Sequence, residues 1–270
     1  MDRRAPAVVA ALLTLFASGC PRESAAPAAT ETPPTAPAAP AEPASMPSPA
    51  ESAGLVGTDV QAERVELADE GPRGNAIVFL ASLKGYTEPC GCTLDLVLGG
   101  IDRVAGAVQA IRALSNHALV LDGGGWMFER PTLDDASRPQ ALRKLEVIEA
   151  AVRAMGVRAT VPGPSDLANG AAFYLERTRS VGVAVVAANL APEGDGAERF
   201  GPAFVVEALG DQRVGVIGLV DPARFEGVAG AVASDPAEAL PGAVEAARAA
   251  GATTVVVLWH GDLVAARRGF

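Results

Sequence analysis

The sequence is poor in aromatic residues, cysteine and histidine, and these shortages narrow the classes of protein to consider. Aromatic residues make up 4% of the 270 residues while 29 are glycine, a balance that favours an α/β domain with closely packed helices and sheet. No Cys-x-x-Cys-His sequence occurs, so the chain has no attachment site for a c-type haem. Lysine and arginine total 22 against 32 acidic residues, a net charge of −10, which gives no electrostatic basis for binding nucleic acid.

The N-terminal apolar run is too short to be a transmembrane helix, which needs ~20 residues. It covers residues 5–16, follows two arginines and leads through small residues to Cys20, which predicts a secretory signal over residues 1–20. The sequence LFASGC that ends at Cys20 resembles a bacterial lipoprotein processing site, so we expect Cys20 to be lipidated; an ordinary cleaved signal is the alternative. Because Pro21 follows rather than Asp, we expect a lipid-anchored protein of the bacterial cell envelope, in the outer membrane and facing the periplasm or the surface.

The next segment, residues 21–55, is rich in proline, alanine, threonine, serine and glutamate. Such a composition cannot bury enough apolar surface to offset the entropy lost on ordering, so we predict a disordered, extended linker. The globular domain is then expected to cover residues 56–270.

Within that domain, strand-like apolar runs alternate with segments of helical periodicity. Strands are predicted at residues 76–81, 117–122, 157–161, 183–188 and 253–259, with a hairpin at 203–208 and 213–219. Helices are predicted at residues 100–113, 138–155, 171–179 and 236–250. This alternation indicates an α/β fold, and several strands end in glycine-rich or polar loops, as a site at one edge of a sheet requires.

Six strand-and-loop segments resemble, in chain order, those of one known family: 78–85, 119–128, 161–170, 185–190, 214–222 and 255–261. The family is the 5'-nucleotidase-like branch of the calcineurin-type metallophosphoesterases, and VVAANL (185–190) and GVIGLVDP (215–222) are close to its usual phrases. The resemblance implies a layered α/β sandwich. Because the family's final Gly-His-x-His segment would lie beyond Phe270, we expect the domain to be truncated at its C-terminus.

The resemblance also implies where two metal ions would bind to clamp a phosphoryl group and supply a hydroxide nucleophile. The family's ligand and catalytic positions fall on residues that lack the usual donors: Ser82, Lys84, Gly125, Pro164 and Ser165. Hard divalent cations need carboxylates and imidazoles, so we expect the dinuclear site not to form. One divalent ion held by Asp122, Asp166 and His260 is an alternative to these three residues acting only as caps of strand ends. No sequence pattern pairs Ser82 or Ser165 with a base.

A second group of candidate residues lies in the loop after the first predicted strand of the domain. The stretch YTEPCGC (86–92), followed by Gly99-Gly100, resembles a variant branch of the same proteins found in bacterial envelopes. Cys90 and Cys92 have three interpretations. They form a disulfide, structural or strained and redox-active; they bind a soft metal with His260 or Glu88; or they remain inert thiols.

Together these features predict a membrane-anchored envelope lipoprotein that resembles 5'-nucleotidase-type phosphoester hydrolases but is degenerate in its metal ligands. The expected partners are the membrane, through the lipid anchor, and a nucleotide or other phosphoester ligand. The cofactor is left open, with one divalent metal ion as the candidate. The alternative function is that of a non-hydrolytic redox or soft-metal-binding envelope protein that uses Cys90 and Cys92.

Overall fold

In the computed structural model, a parallel sheet and a second, mixed sheet pack with helices into a layered α/β sandwich. The structure describes residues 9–12, 74–90, 98–194, 199–262 and 266. All of these residues belong to one compact unit. The strands are β1 (Val9–Leu12), β2 (Asn75–Leu80), β3 (Pro89–Cys90), β4 (Leu98–Gly99), β5 (His117–Asp122), β6 (Val157–Thr160), β7 (Ala184–Val185), β8 (Leu190–Pro192), β9 (Phe204–Leu209), β10 (Gln212–Val220), β11 (Ala231–Ala233) and β12 (Thr254–His260). The helices are α1 (Ile101–Leu114), α2 (Arg138–Met155), α3 (Ala171–Val181), α4 (Pro222–Phe225) and α5 (Pro236–Ala249).

The first sheet has the strand order β1-β2-β5-β6-β7 among the described residues, and every pairing in it is parallel. The last four residues of its central strand β5 are buried, because both faces of a parallel sheet are covered by other elements. Strand β1 lies inside the segment predicted to be a signal and pairs with β2 in the intact chain. Cleavage before Cys20 would remove β1 and leave β2 at the edge of the sheet.

Helices α1 and α2 pack against this sheet through apolar residues at helical spacing. The stripe on α2 consists of Leu145, Ile148, Val152 and Met155, all at most 3% exposed. Helix α2 ends where Gly156 adopts a left-handed conformation, with φ of 59°, which glycine reaches without steric cost. The helices predicted at residues 100–113 and 138–155 are therefore confirmed.

The second sheet has the order β12-β10-β9, with β10 parallel to β12 and antiparallel to β9 across the predicted hairpin. Helix α5 packs on it, and the side chain of Asp235 caps the helix by accepting a hydrogen bond from the backbone N–H of Ala237. The two sheets approach closely at β10, where a Cβ atom on Gly218 would lie 2.0 Å from the carbonyl oxygen of Val186. Only glycine fits there.

The segment predicted as a strand at 183–188 forms only the two-residue strand β7, and the reason lies in its hydrogen bonds. The backbone N–H of Val186 donates to Thr160 in the first sheet, whereas that of Ala188 donates to Gly218 in the second sheet. This segment therefore passes from one sheet to the other instead of extending either. Five short strands (β1, β3, β4, β8 and β11) and helix α4 were also not predicted.

The described part of the chain includes no helix with the length and apolar character needed to cross a bilayer. The predicted linker, Cys20 and residues 56–73 of the predicted domain lie outside the described residues. Their assignments stay predictions.

Candidate functional site

The segments that follow β2, β5, β6 and β12 meet at the carboxyl edge of the sheets, where ligands bind in open α/β folds. The segment after β2 runs beside the segment after β5 and donates three backbone hydrogen bonds to it. The N–H of Ser82 donates to the carbonyl of Gly124 at 3.0 Å, and that of Lys84 to Gly125 at 2.8 Å. The N–H of Gly85 donates to the carbonyl of Trp126 at 3.2 Å. Backbone pairing therefore holds these two strand exits side by side.

Asp166 ties the exit of β5 to the exit of β6. Its Oδ2 accepts hydrogen bonds from the N–H groups of Gly125 and Gly163 at 2.7 and 2.8 Å, and its Oδ1 accepts one from Met127 at 2.9 Å. The residue is fully buried. Burial raises the pKa of Asp166, while the three N–H donors oppose that rise. Its main role in this geometry is to fix the two loops.

Asp122, at the end of β5, is less completely paired than Asp166. Its Oδ1 accepts hydrogen bonds from the N–H of Gly124 at 2.7 Å and from the hydroxyl of Thr160 at 2.8 Å. Its Oδ2 is buried without a hydrogen-bond partner in the described part of the chain. Burial first, and then the negative charge of Asp166, raise the pKa of Asp122 to about 7. This carboxyl group is therefore partly protonated near neutral pH.

His260, the last residue of β12, reaches across to the exit of β5. Its Nδ1 lies 2.8 Å from the carbonyl oxygen of Gly123. A carbonyl only accepts hydrogen bonds, so Nδ1 carries the proton in the neutral ring and Nε2 holds a lone pair. Burial lowers the pKa of His260, and the positive charges of Arg224 and Lys84 lower it further. The imidazole is therefore neutral at pH 7.

The five positions where the sequence departs from the family pattern cluster around Gly125. A Cβ atom on Gly125 would lie 3.3 Å from Cε1 of His260, 3.7 Å from Cα of Ser82 and 3.8 Å from Oγ of Ser165. Lys84 joins the cluster through its backbone bond to the carbonyl of Gly125. Pro164 and Ser165 begin a 3₁₀ turn, Pro164–Leu167, directly after Gly163. The structure thus brings together the residues that the sequence singled out.

The backbone is unusual at the exit of β2. Ser82 and Lys84 have φ angles of 54° and 48°, and they are the non-glycine residues with positive φ in the described part of the chain. This left-handed region is costly for residues with a side chain, and such strain is concentrated at functional sites.

The three residues predicted to hold a single ion do lie at this edge, but most of their ligand atoms have other partners, with Oδ2 of Asp122 the exception among the carboxylate oxygens. Asp166 uses both carboxylate oxygens for backbone N–H groups, and His260 uses Nδ1 for Gly123. Among the described residues, no group of three His, Cys, Asp or Glu side chains is placed to hold a metal ion. The site formed by Asp122, Asp166 and His260 stays a prediction.

Cys90 lies in β3, which pairs antiparallel with β4 so that Cys90 stands opposite Leu98. Cys92 lies outside the described residues. The three interpretations of the cysteine pair are therefore untested.

Sequence reasoning missed Arg224 and Tyr174. Arg224 lies on the short helix α4, whose first turn is capped by Asp221, and the backbone N–H of Asp221 donates to the carbonyl of His260 at 2.9 Å. The strand-exit rule marks the segment after β10, but it does not fix where Arg224 lies within that segment. The hydroxyl of Tyr174 is buried near Asp166 and Asp122. Burial first, and then the negative charges of these two carboxylates, raise the pKa of Tyr174. No sequence pattern marked this tyrosine, which sits on the apolar face of α3.

A cavity of about 280 Å³ adjoins the strand exits. Gly85 lines one side of it, and the other side is lined by Phe128, by the loop before α2, including Arg130, and by Lys144 on α2. Trp126 and Phe128 are each only 1% exposed, so both side chains belong mainly to the core.

The fold and the converging strand exits define a structural class: the α/β sandwich of this chain is similar to those of solved 5'-nucleotidases and calcineurin-like phosphoesterases. The chain is similar to a 5'-nucleotidase precursor from Thermus thermophilus, with a TM-score of 0.57 and 24% identity over 68% of this chain and 36% of that chain. It is similar to the NAD nucleotidase NadN of Haemophilus influenzae, with a TM-score of 0.57 and 15% identity over 72% of this chain and 35% of that chain. For the calcineurin-like phosphoesterase YfkN of Bacillus subtilis, the TM-score is 0.52 and the identity 17%, over 69% of this chain and 62% of that chain.

The expected fold is thereby confirmed. The chain spans about a third of the length of the first two proteins. No family model and no curated protein matches the sequence.

Proposed function

We propose that this domain recognises a phosphoester, such as a nucleotide, at the carboxyl edge of its sheets and has lost the dinuclear metal chemistry of its structural class. The observation that carries this proposal is the cluster around Gly125. It occupies the strand exits of a nucleotidase-like fold, yet its side chains are the hydroxyls of Ser82 and Ser165, the amine of Lys84 and the imidazole of His260.

These residues do not fit two divalent cations. Gly125 and Pro164 have no donor side chain, and hydroxyls are weak ligands compared with the carboxylates that hard cations prefer. The amine of Lys84 adds repulsion. Asp166, a carboxylate at the centre of the cluster, already accepts three backbone hydrogen bonds. Without cations to activate water and to neutralise the phosphoryl oxygens, hydrolysis loses its main source of acceleration.

The ligand class is supported by the fold and by the space beside the site. The structural neighbours include a 5'-nucleotidase precursor and an NAD nucleotidase, whose names indicate nucleotide substrates. The cavity next to Gly85 provides room close to the cluster for the remainder of an ester.

Metal analysis combined with a turnover assay tests the loss of hydrolysis. We expect purified protein to hold fewer than two equivalents of manganese, zinc and iron combined, and AMP hydrolysis to stay at the background rate when these metals are added. Two bound equivalents accompanied by metal-dependent release of phosphate would contradict the proposal.

We further propose that the protein is a lipoprotein of the bacterial envelope, anchored through Cys20 and facing the periplasm or the surface. The support is the order of signal, processing site and proline-rich linker in residues 1–55. Each buried methylene of an attached acyl chain adds ~0.8 kcal/mol of membrane affinity, so several chains hold a domain firmly.

A further inference from the structure

We propose that Lys84 and Arg224 bind the phosphoryl group of the ligand directly, with Ser165 as a hydrogen-bond donor, and so replace the metal ions of the structural class by fixed cations. This inference rests on the proposed function and adds the groups that recognise the ligand. The ligand it implies is a phosphate monoester, whose terminal dianion suits two cationic side chains.

The two cations approach the cluster from different elements. Lys84 lies on the exit of β2 and Arg224 on α4 after β10, and both charges act on the imidazole of His260. The backbone places them there: the N–H of Lys84 donates to Gly125, and α4 begins at Asp221, which is bonded to His260. The exit of β2 and the start of α4 therefore both lie close to His260.

Neither cation has a carboxylate partner in the described part of the chain. Lys84 is half-buried and Arg224 is exposed, and no ion pair or side-chain hydrogen bond joins either of them to a described residue. The nearby carboxylates are not available as counterions. Asp166 is used by three N–H groups, and Asp122 is buried and partly neutral. A phosphate dianion would supply the counterion that both cations lack among the described residues.

Gly125 contributes no side chain at the centre of the cluster. The hydroxyl of Ser165 lies 3.8 Å from the position that a Cβ atom on Gly125 would occupy, and Cε1 of His260 lies 3.3 Å from it. The hydroxyl of Ser165 and the imidazole of His260 thus flank a point where the structural class would place a carboxylate.

The strained backbone at Ser82 and Lys84 is an independent sign of function at this exit. Both residues hold left-handed φ angles, and their N–H groups are fixed by bonds to Gly124 and Gly125. Strain of this kind persists where the surrounding structure determines it, commonly at ligand-binding segments.

Calorimetric titration of the full-length protein in detergent, with EDTA present, tests this assignment. The probes are inorganic phosphate and AMP. We expect Lys84→Gln and Arg224→Gln each to weaken the binding of both probes about tenfold, and the double variant to weaken it further. Arg248→Gln, which removes an exposed arginine on α5, is the matched control and should leave both affinities unchanged. Binding to the wild type should also weaken as salt rises, because the contacts are ionic.

The outcomes separate this inference from the proposed function. If AMP binds in EDTA with equal affinity to the wild type, Lys84→Gln and Arg224→Gln, the cation assignment is wrong while phosphoester recognition stands. If AMP binds only after manganese is added, both the assignment and the loss of metal chemistry are wrong. If AMP binds under neither condition, the proposed ligand class is wrong. A thermal melt of each variant within a few degrees of the wild type shows that folding is intact.

Discussion

At the scale of single residues, Asp122 and Asp166 show how two adjacent buried carboxylates differ by their hydrogen bonds. Asp166 accepts three backbone N–H bonds and fixes two loops. Asp122 leaves one oxygen without a partner in the described part of the chain, and its pKa rises to about 7. Both aspartates stood out in the sequence as strand-end residues, but only the structure assigns them these separate roles.

The raised pKa of Asp122 makes folding stability depend on pH. Between pH 3.8 and about pH 7, Asp122 is protonated in the folded state and ionised in the unfolded state. The contribution of Asp122 to folding stability is therefore full below pH 4 and is lost as the pH rises through 7. A shift of this size corresponds to at most about 4 kcal/mol. Asp122→Asn keeps an oxygen for Gly124 and Thr160 but does not titrate.

We therefore expect Asp122→Asn to gain stability relative to the wild type as pH rises from 4 to 8. Urea denaturation of both proteins across that range measures the difference. A difference in free energy of unfolding that stays constant over the range would show that Asp122 does not titrate there.

At the scale of elements, the packing of strand exits depends on glycines that allow close approach. A Cβ atom on Gly163 would lie 2.7 Å from both the backbone nitrogen of Gly125 and Cε1 of His260. The φ of Gly163 is −103°, an angle that alanine adopts readily, so the obstacle is space and not conformation.

We expect Gly163→Ala to destabilise the fold by roughly 1–3 kcal/mol, as overpacking of a tight site does, and to displace the ring of His260. The matched control is Gly106→Ala in α1, where a Cβ atom would meet nothing within 4 Å. Alanine there should stabilise the helix by roughly 0.5–1 kcal/mol. Thermal or urea unfolding measures both changes, and equal effects of the two substitutions would refute the packing argument.

The elements themselves were largely predictable, and the exceptions have physical causes. Long apolar runs such as β5 and the periodic stripe of α2 are recognisable in the sequence because burial of one face sets their pattern. The segment 183–188 misled the prediction because its N–H groups bond to two different sheets. Strands of two or three residues, such as β3, are too short to show a period.

At the scale of the whole molecule, the order of strand-and-loop segments along the sequence predicted the fold correctly. The segments are recognisable because each is a strand followed by a loop at the carboxyl edge of the sheets. The convergence of Ser82, Gly125, Ser165 and His260 follows from that order. The position of Arg224 does not, because it depends on how α4 turns after β10. The negative net charge of −10 likewise gave no sign of a cationic site, since a net charge does not describe local charge.

The predicted lipid anchor concerns the molecule as a whole. We expect the wild type to sediment with membranes and Cys20→Ala to be released into the soluble fraction, because the variant lacks the thiol that accepts the lipid. Cys90→Ser is the matched control and should stay with the membranes. Equal membrane retention of Cys20→Ala and the wild type in cell fractionation would contradict lipidation.

Recognition of a phosphoester without metal ions is tested most directly by a ratio of two affinities. The ratio is the affinity of the wild-type protein for AMP with manganese present, divided by its affinity in EDTA. Because Lys84 and Arg224 carry the charge that metals would otherwise supply, the account predicts measurable binding in EDTA and a ratio close to one. A gain of tenfold or more on adding manganese, or binding seen only with manganese, would contradict it.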